Sequence, residues 1–247
     1  MTIYHQRSTF GCFMTEYSLL EITLLELSDV SAPTYIKRTE MKPFSKWTIE
    51  EAEDEFHIVL QSGNDMLTEW MSSYPQPSDE EKQILDGLCG KLRNRVWDWN
   101  EEELKICFIA PLLNLVNFEH EKYTSFFSRE ISAVYKDGKL SGTADFMVAC
   151  GRRSPKRPFF FINEYKKEHD SSDDPLGQLV IAMITAQKLN SDNNPVYGAY
   201  IMGRYWHFTV LHDIYYSVHT GLNAANDDIK QIFGVLKKTK QIIDNMI

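Results

Sequence analysis

Apolar residues recur at two different spacings along the chain, and the change falls near residue 100. Before it, apolar positions at 48–71 and at 80–92 repeat every three or four residues, which predicts two amphipathic helices. A polar loop at 72–79 separates them, and a further short helix is predicted at 17–27. The first hundred residues are therefore predicted to be mainly helical.

Beyond residue 100 the pattern changes from one buried helix to a series of strands. The segment 101–115 is apolar over most of its surface, which indicates a buried helix. Pro111 predicts a kink or an early end of that helix, because proline cannot donate the backbone hydrogen bond. Apolar runs bounded by turn residues then predict five strands, at 126–135, 140–149, 159–166, 196–202 and 205–211.

The connections between these strands predict how they pair. Asp137-Gly138 suits a tight hairpin turn, so the first two strands are expected to be antiparallel. A helix at 176–189 joins the third strand to the fourth and permits a parallel pair. The predicted fold is α/β, a mixed sheet with flanking helices. Its expected parts are a mainly helical region at 1–99, a core at 100–216 and a C-terminal helix packed on the core at 217–247.

Charge is unevenly distributed along the chain. The 247 residues include 35 acidic and 26 basic side chains, a net charge of −9, which argues against binding of nucleic acid by bulk charge. The window 129–167 instead contains nine basic and four acidic residues, a net charge of +5 that would attract a DNA backbone. A solvated loop is the alternative interpretation. The candidate nucleic-acid contacts are Arg152, Arg153, Lys156, Arg157 and Lys167.

Cysteine spacing and hydropathy predict a cytoplasmic protein that does not cross a membrane. The four cysteines are far apart and form no CxxC pair, so neither a disulfide framework nor a zinc knuckle is indicated. No segment approaches the roughly 20 apolar residues that span a bilayer.

Three polar residues interrupt the apolar strands and are the candidates for chemistry. Glu164 and Lys166 share one face of the strand at 159–166, because side chains alternate along a strand, and Asp145 stands in the neighbouring apolar strand. Two carboxylates from adjacent strands can hold a hard cation such as Mg²⁺. The lysine could then orient or deprotonate a water molecule or stabilise charge on a phosphate. A surface ion pair at a strand end is the alternative.

Asp145, followed nineteen residues later by Glu164-Tyr165-Lys166, resembles the motif of the PD-(D/E)XK nuclease superfamily. The order of helix, three strands, helix and strand is similar to the core of that superfamily. The resemblance is closest to the N-terminal nuclease domain of type I restriction enzyme R subunits and their stand-alone relatives. The chain departs from the motif at Ala144, where a proline is typical.

Two further residues match that group by position. Glu103 precedes Pro111-Leu112-Leu113, as a glutamate precedes Pro-Leu-Leu in the group, and Gln178 matches a glutamine on the helix after the third strand. The resemblance implies that Glu103, Asp145 and Glu164 bind Mg²⁺ or Mn²⁺, that Lys166 serves the water, and that Gln178 supports the site. A helix-start carboxylate for Glu103 and a capping or first-turn role for Gln178 are the alternatives.

The resemblance implies a restriction-endonuclease-like core and a metal-dependent nuclease that hydrolyses DNA. A catalytically inactive protein of the same fold, which binds nucleic acid or another protein, is the second hypothesis. A structural partner subunit in a defence or mobile-element complex is the third. DNA is the expected partner, and a homodimer is possible.

Overall fold

The computed structural model describes residues 39–247 except positions 41, 73, 137 and 170–173. The helix predicted at 17–27 lies outside these residues. In the part of the chain that is described, no helix is both long and apolar enough to cross a bilayer.

Nine strands of the described chain form one mixed sheet in the order β1-β4-β5-β6-β7-β8-β2, with β3 paired to β4 and β9 paired to β7. The strands β3, β4 and β5 are antiparallel neighbours, whereas β5 and β6 are parallel. The predicted α/β class with a mixed sheet is confirmed. The strands are β1 (Thr39–Glu40), β2 (Val59–Leu60), β3 (Tyr123–Tyr135), β4 (Gly138–Cys150), β5 (Lys156–Lys166), β6 (Val196–Met202), β7 (Tyr205–His212), β8 (Tyr215–Val218) and β9 (Leu222–Asn223).

The helices cover both faces of this sheet. Capping boxes at Thr48 and at Ser78 start the first and third of them, because each hydroxyl and the glutamate three residues later satisfy exposed amides. The helices are α1 (Ile49–Phe56), α2 (Asp65–Ser72), α3 (Asp79–Arg95), α4 (Glu101–Leu104), α5 (Ala110–Val116), α6 (Pro175–Asn190) and α7 (Asp228–Met246), with a π-helical turn at Lys105–Ile109.

The single helix predicted at 48–71 is wrong. The segment forms α1 and α2 with the short strand β2 between them. His57 adopts a left-handed conformation with φ of 55°, which ends α1, and Gly63 has φ of 71° in the turn before α2. Apolar spacing continues across these breaks, so the periodicity alone did not reveal them.

Pro111 does not end its helix early. The amide of Ala110 donates to the carbonyl of Lys105, a five-residue step that widens the helix directly before the proline. α5 then continues to Val116. A π-helical turn can absorb the hydrogen bond that a proline removes, so the irregularity lies before Pro111 rather than after it.

Two hydrophobic cores lie on opposite faces of the sheet. One contains residues of α2, α3, α5 and α7, and the other contains residues of α1 and α6. Trp70, Leu85 and Leu92 belong to the first core together with residues of the strands. The boundary predicted at residue 99 therefore does not separate two cores.

The start of α6 is fixed to the start of α1. The carboxylate of Asp174 accepts hydrogen bonds from the amides of Gly177 and Ile49, at 2.9 and 2.7 Å. A β-carbon on Gly177 would lie 2.6 Å from the backbone carbonyl oxygen of Trp47, so only glycine permits this approach. Because α6 connects the parallel strands β5 and β6, its first turn lies at the carboxyl end of β5.

Candidate active site

Asp145 and Glu164 come from neighbouring strands at the carboxyl end of β5. The antiparallel register between β4 and β5 extends to the pair Phe146 and Asn163. One further step would set Asp145 directly opposite Glu164, and α-carbons of opposed residues lie about 4.5–5.5 Å apart. The two carboxyl groups therefore share one short segment of the sheet.

The strands β4 and β5 part at this segment. The pairing of β4 with β5 ends at Asn163, and the backbone amide of Tyr165 donates to Oδ2 of Asp145 at 2.8 Å. The carboxylate thus satisfies an amide at the end of the ladder. This hydrogen bond holds the half-buried Asp145 side chain at the gap between the two strand ends.

Lys166 lies beside Glu164, as strand alternation predicts. Its Nζ is 3.0 Å from Oε1 of Glu164 and 4.0 Å from Oε2 of Glu101. Glu164 and Lys166 are each only 8% exposed, so this is a buried pair and not the surface ion pair of the alternative interpretation. Acid and ammonium are brought together where water is largely excluded.

Burial has the largest effect on the acids of this cluster. Burial and the nearby charge of Asp145 raise the pKa of Glu164 to about 8, although Lys166 acts in the opposite direction. Burial also raises the pKa of Asp145 and of Glu101 above their usual ranges. Burial therefore outweighs the nearby ammonium groups in the titration of each acid.

The same surroundings favour the charged form of Lys166. Burial disfavours its charged form, but the carboxylates of Glu164, Glu101 and Asp145 outweigh burial and raise the pKa of Lys166 above its usual range. The ammonium is therefore protonated at neutral pH. In this state it donates hydrogen bonds and supplies positive charge, and it does not act as a base.

Glu103 takes part in the cap of α4, and its predicted role as a metal ligand stays a prediction. Its carboxylate accepts from the amide of Asn100 at 2.9 Å, while the Asn100 side chain accepts from the amide of Glu103 at 2.9 Å. This reciprocal capping box occupies the side chain at the start of α4. The helix places Glu101, two residues earlier, on the side that faces Lys166.

Gln178 is buried in the first turns of α6, with 2% of its surface exposed. Its Nε2 finds no hydrogen-bond partner among the described residues. The cap of α6 is Asp174, so Gln178 does not fill that capping role. Its amide remains a donor for which the described chain offers no acceptor, at the end of α6 that lies near the carboxyl end of β5.

The basic loop lies at the far end of the same strands. Cys150 pairs with Lys156 to close the turn between β4 and β5. The 11 residues of β5 separate this turn from Lys166 by about 30 Å, at about 3.3 Å per residue. The loop residues predicted to contact nucleic acid therefore do not border the cluster, namely Arg152, Arg153, Lys156 and Arg157. Only Lys167 of that predicted set is adjacent to it.

Glu101 and Lys105 belong to the site but were missed by the sequence reasoning. Lys105 is largely buried, lies 3.1 Å from Oε1 of Glu102 and 3.4 Å from Oγ of Ser128, and lowers the pKa of Asp145 through its charge. The four-residue spacing of Glu101 and Lys105 places them on one helix face. The spacing Asn100-x-x-Glu103 is that of a capping box, and it could have assigned Glu103 to the cap of α4. Glu101 would then have been the better candidate for the site.

The predicted group of three metal-binding carboxylates is not formed. Across residues 39–247, outside the undescribed positions, no three His, Cys, Asp or Glu side chains are arranged to hold a metal ion. Mg²⁺ commonly uses only one or two protein carboxylates and completes its shell with water and substrate phosphate. Asp145 and Glu164 fit that requirement, because a cation between them would stabilise the charged forms that burial disfavours.

Substitution of the two glutamates of α4 separates their roles. We expect Glu101→Gln to lower the pKa of Lys166 and to leave folding intact, because Glu101 contributes charge to the cluster. Glu103→Ala is expected to cost about 1 kcal/mol of stability through the lost cap. NMR titration of the Lys166 ammonium and thermal unfolding check the two effects. The assignment fails if Glu103→Ala shifts the Lys166 titration and Glu101→Gln does not.

No protein-family model matches the chain, and no curated protein matches it significantly.

Proposed function

We propose that the chain is a Mg²⁺- or Mn²⁺-dependent nuclease that hydrolyses phosphodiester bonds of DNA. The observation that carries the proposal is the meeting of Asp145 and Glu164 at the parting ends of β4 and β5, with the Lys166 ammonium 3.0 Å from Glu164. A buried acid pair with a protonated lysine is suited to charged substrates such as phosphodiesters.

The order of elements supports a restriction-endonuclease-like core. The helix at α4–α5 is followed by β3, β4, β5, α6 and β6, which is the order of that superfamily's core. Asp145 lies on the second of these strands, and Glu164 and Lys166 lie on the third. These positions on the second and third strands support the roles proposed here for Asp145, Glu164 and Lys166.

Each residue of the cluster has a distinct task in the proposed reaction. Asp145 and Glu164 hold the cation, and the amide of Tyr165 keeps the Asp145 carboxylate at the gap. When bound, the cation polarises the phosphate and lowers the pKa of a water molecule. Lys166 donates hydrogen bonds to that water or to a non-bridging phosphate oxygen, where negative charge develops during attack on phosphorus.

Glu164 makes this function dependent on pH. Its pKa of about 8 without a cation means that the carboxyl group is largely protonated at neutral pH. It must lose that proton to bind a cation, so the affinity for Mn²⁺ should increase as pH rises towards about 8. The buried acid is thus kept neutral until a cation replaces its proton.

Nicking of supercoiled plasmid tests the proposal. We expect the wild-type chain to nick DNA with Mg²⁺ or Mn²⁺ and not with EDTA, and Asp145→Asn to reduce the rate by at least about 100-fold because the cation loses a charged ligand. Asp79→Asn is the matched control, since that aspartate is exposed at the start of α3.

The possible results separate the candidate functions. Nicking that needs the metal and is lost in Asp145→Asn supports the nuclease. DNA binding without cleavage by the wild-type chain contradicts it and favours the inactive nucleic-acid-binding protein. Equal nicking by the wild-type and Asp145→Asn chains would assign the activity to a contaminant or to another site.

A further inference from the structure

A cavity of about 330 Å³ opens beside the candidate active site. Its walls are the segments 96–100 and 167–169. The first segment leads directly into Glu101, and the second directly follows Lys166. A molecule in this cavity, here called the Trp97 cavity, would therefore be adjacent to the acids and the ammonium described above.

The Trp97 cavity contains a stack of planar groups. The guanidinium carbon of Arg204 lies 4.3 Å from the centre of the Trp97 ring. The His169 ring stacks on Trp97 with 4.8 Å between centres and 30° between planes. Trp97 is 56% exposed and His169 is also exposed, so this stack lies at the surface rather than in a core.

Buried polar contacts hold the stack in place. Glu168 accepts from Nε of Arg204 at 2.7 Å and from its backbone amide at 2.9 Å. Gly203, with φ of 55°, donates its amide to the carbonyl of Lys166 at 2.8 Å, and a β-carbon there would clash with Glu168. The arginine is thus ordered before any ligand arrives, which lowers the entropy cost of binding.

Of the three Asp, Glu and Lys side chains that line the Trp97 cavity, two are paired. Asp98 is paired with Arg95 at 3.2 Å, and Glu168 is paired with Arg204. Lys167 is exposed and forms no ion pair with any residue that the structure describes. An exposed stack of planar groups next to a lysine is suited to a nucleotide, since a base can extend the stack at its outer end and a phosphate can meet the ammonium.

We infer that the Trp97 cavity binds an unpaired nucleobase of the strand whose phosphate lies at Asp145 and Glu164. This inference rests on the proposed nuclease function and assigns single-stranded or locally unpaired DNA as its substrate class. A base within a duplex is stacked on its neighbours and cannot stack on a protein ring until it is unstacked. The cavity therefore favours single-stranded or locally unpaired DNA, in which the free energy needed to unstack a base is already small.

Binding to two single strands in EDTA tests this inference without cleavage. One strand carries deoxyadenosine throughout, and the other has the same length and backbone but no bases. Fluorescence anisotropy measures the affinity of the full chain for each. We expect the strand with bases to bind about 5- to 150-fold more tightly, the range that stacking of a base on an aromatic side chain provides.

Substitutions of Trp97 test whether the preference for the strand with bases arises at the Trp97 cavity. Trp97→Ala should remove most of the preference for the strand with bases, while Trp97→Phe should retain part of it because a ring remains. Tyr215→Ala is the matched control, since Tyr215 is 45% exposed on β8, away from the site. Thermal unfolding checks that each variant is folded.

Several results would overturn the inference, and they are distinct from failure of the nuclease proposal. Equal affinity for the two strands, no binding of either, or a preference that survives in Trp97→Ala each contradicts it. A chain that nicks plasmid but shows no preference for bases overturns this inference alone. A chain with a preference that depends on Trp97, but without metal-dependent nicking, overturns only the nuclease proposal.

Discussion

The Lys166→Met variant is expected to cleave DNA about 10²- to 10³-fold more slowly than the wild-type chain at saturating Mn²⁺. Methionine keeps the length of the side chain but removes the ammonium, which lies 3.0 Å from Glu164. We propose that this ammonium donates a hydrogen bond to the phosphate oxygen on which negative charge develops. Initial rates of nicking at constant pH measure the loss.

Stabilisation by the cation should survive this substitution. Asp145 and Glu164 remain in Lys166→Met, so Mn²⁺ should still raise its melting temperature. Loss of cleavage with retained stabilisation assigns Lys166 to the reaction and not to cation binding. Lys230→Met is the matched control, because Lys230 lies on α7 and pairs with Asp86 and Asp227. Cleavage by Lys166→Met at the wild-type rate would rule out the proposed role.

Glu164→Gln is expected to stabilise the protein at pH 8 in EDTA by about 1–3 kcal/mol. The folded protein raises the pKa of Glu164 from 4.5 to about 8, so it binds this proton more tightly than the unfolded chain does. The contribution of Glu164 to the stability of the wild-type chain therefore falls as pH rises from 4.5 towards about 8, and it is lost above that value. Glutamine carries no such charge.

Loss of the ion pair with Lys166 limits how much Glu164→Gln can stabilise the protein. The substitution removes the carboxylate 3.0 Å from Lys166, but the ammonium keeps Glu101 at 4.0 Å. Urea unfolding at several pH values in EDTA measures the difference. Glu103→Gln is the control, because a glutamine can also complete a capping box at that exposed position. A Glu164→Gln variant less stable than the wild-type chain at pH 8 would contradict the electrostatic account.

The same substitution links stability to function. Mn²⁺ is expected to stabilise the wild-type chain by offsetting the charge of Asp145 and Glu164, whereas Glu164→Gln has lost one of these charges. The variant should therefore start from a higher stability in EDTA and gain less from the metal. Two buried carboxylates destabilise the folded protein when no cation is present. Binding of a cation relieves this unfavourable free energy, which favours binding.

Local patterns were enough to predict the strands that carry the chemistry. Side chains alternate along a strand, so Glu164 and Lys166 were assigned to one face, and the hairpin before Asp145 was readable from its turn residues. Both inferences use residues close together in the chain. The α/β class followed in the same way from the order of apolar runs, and the structure confirms it.

Local patterns failed where a conformation is decided by one residue or by packing. The break between α1 and α2 depends on the left-handed conformation of His57, which apolar spacing does not reveal. The π-helical turn before Pro111 is a similar case, since the helix widens and continues through packing of its apolar residues.

The sequence by itself determined the five longest strands, the α/β class and the placement of Glu164 and Lys166 on one face. Only the tertiary structure decided that Glu101 reaches Lys166 while Glu103 caps α4, and that the basic loop lies about 30 Å from the cluster. The reason is physical. Faces of a strand follow from its two-residue period, whereas the approach of separate elements depends on how the whole chain buries its apolar surface.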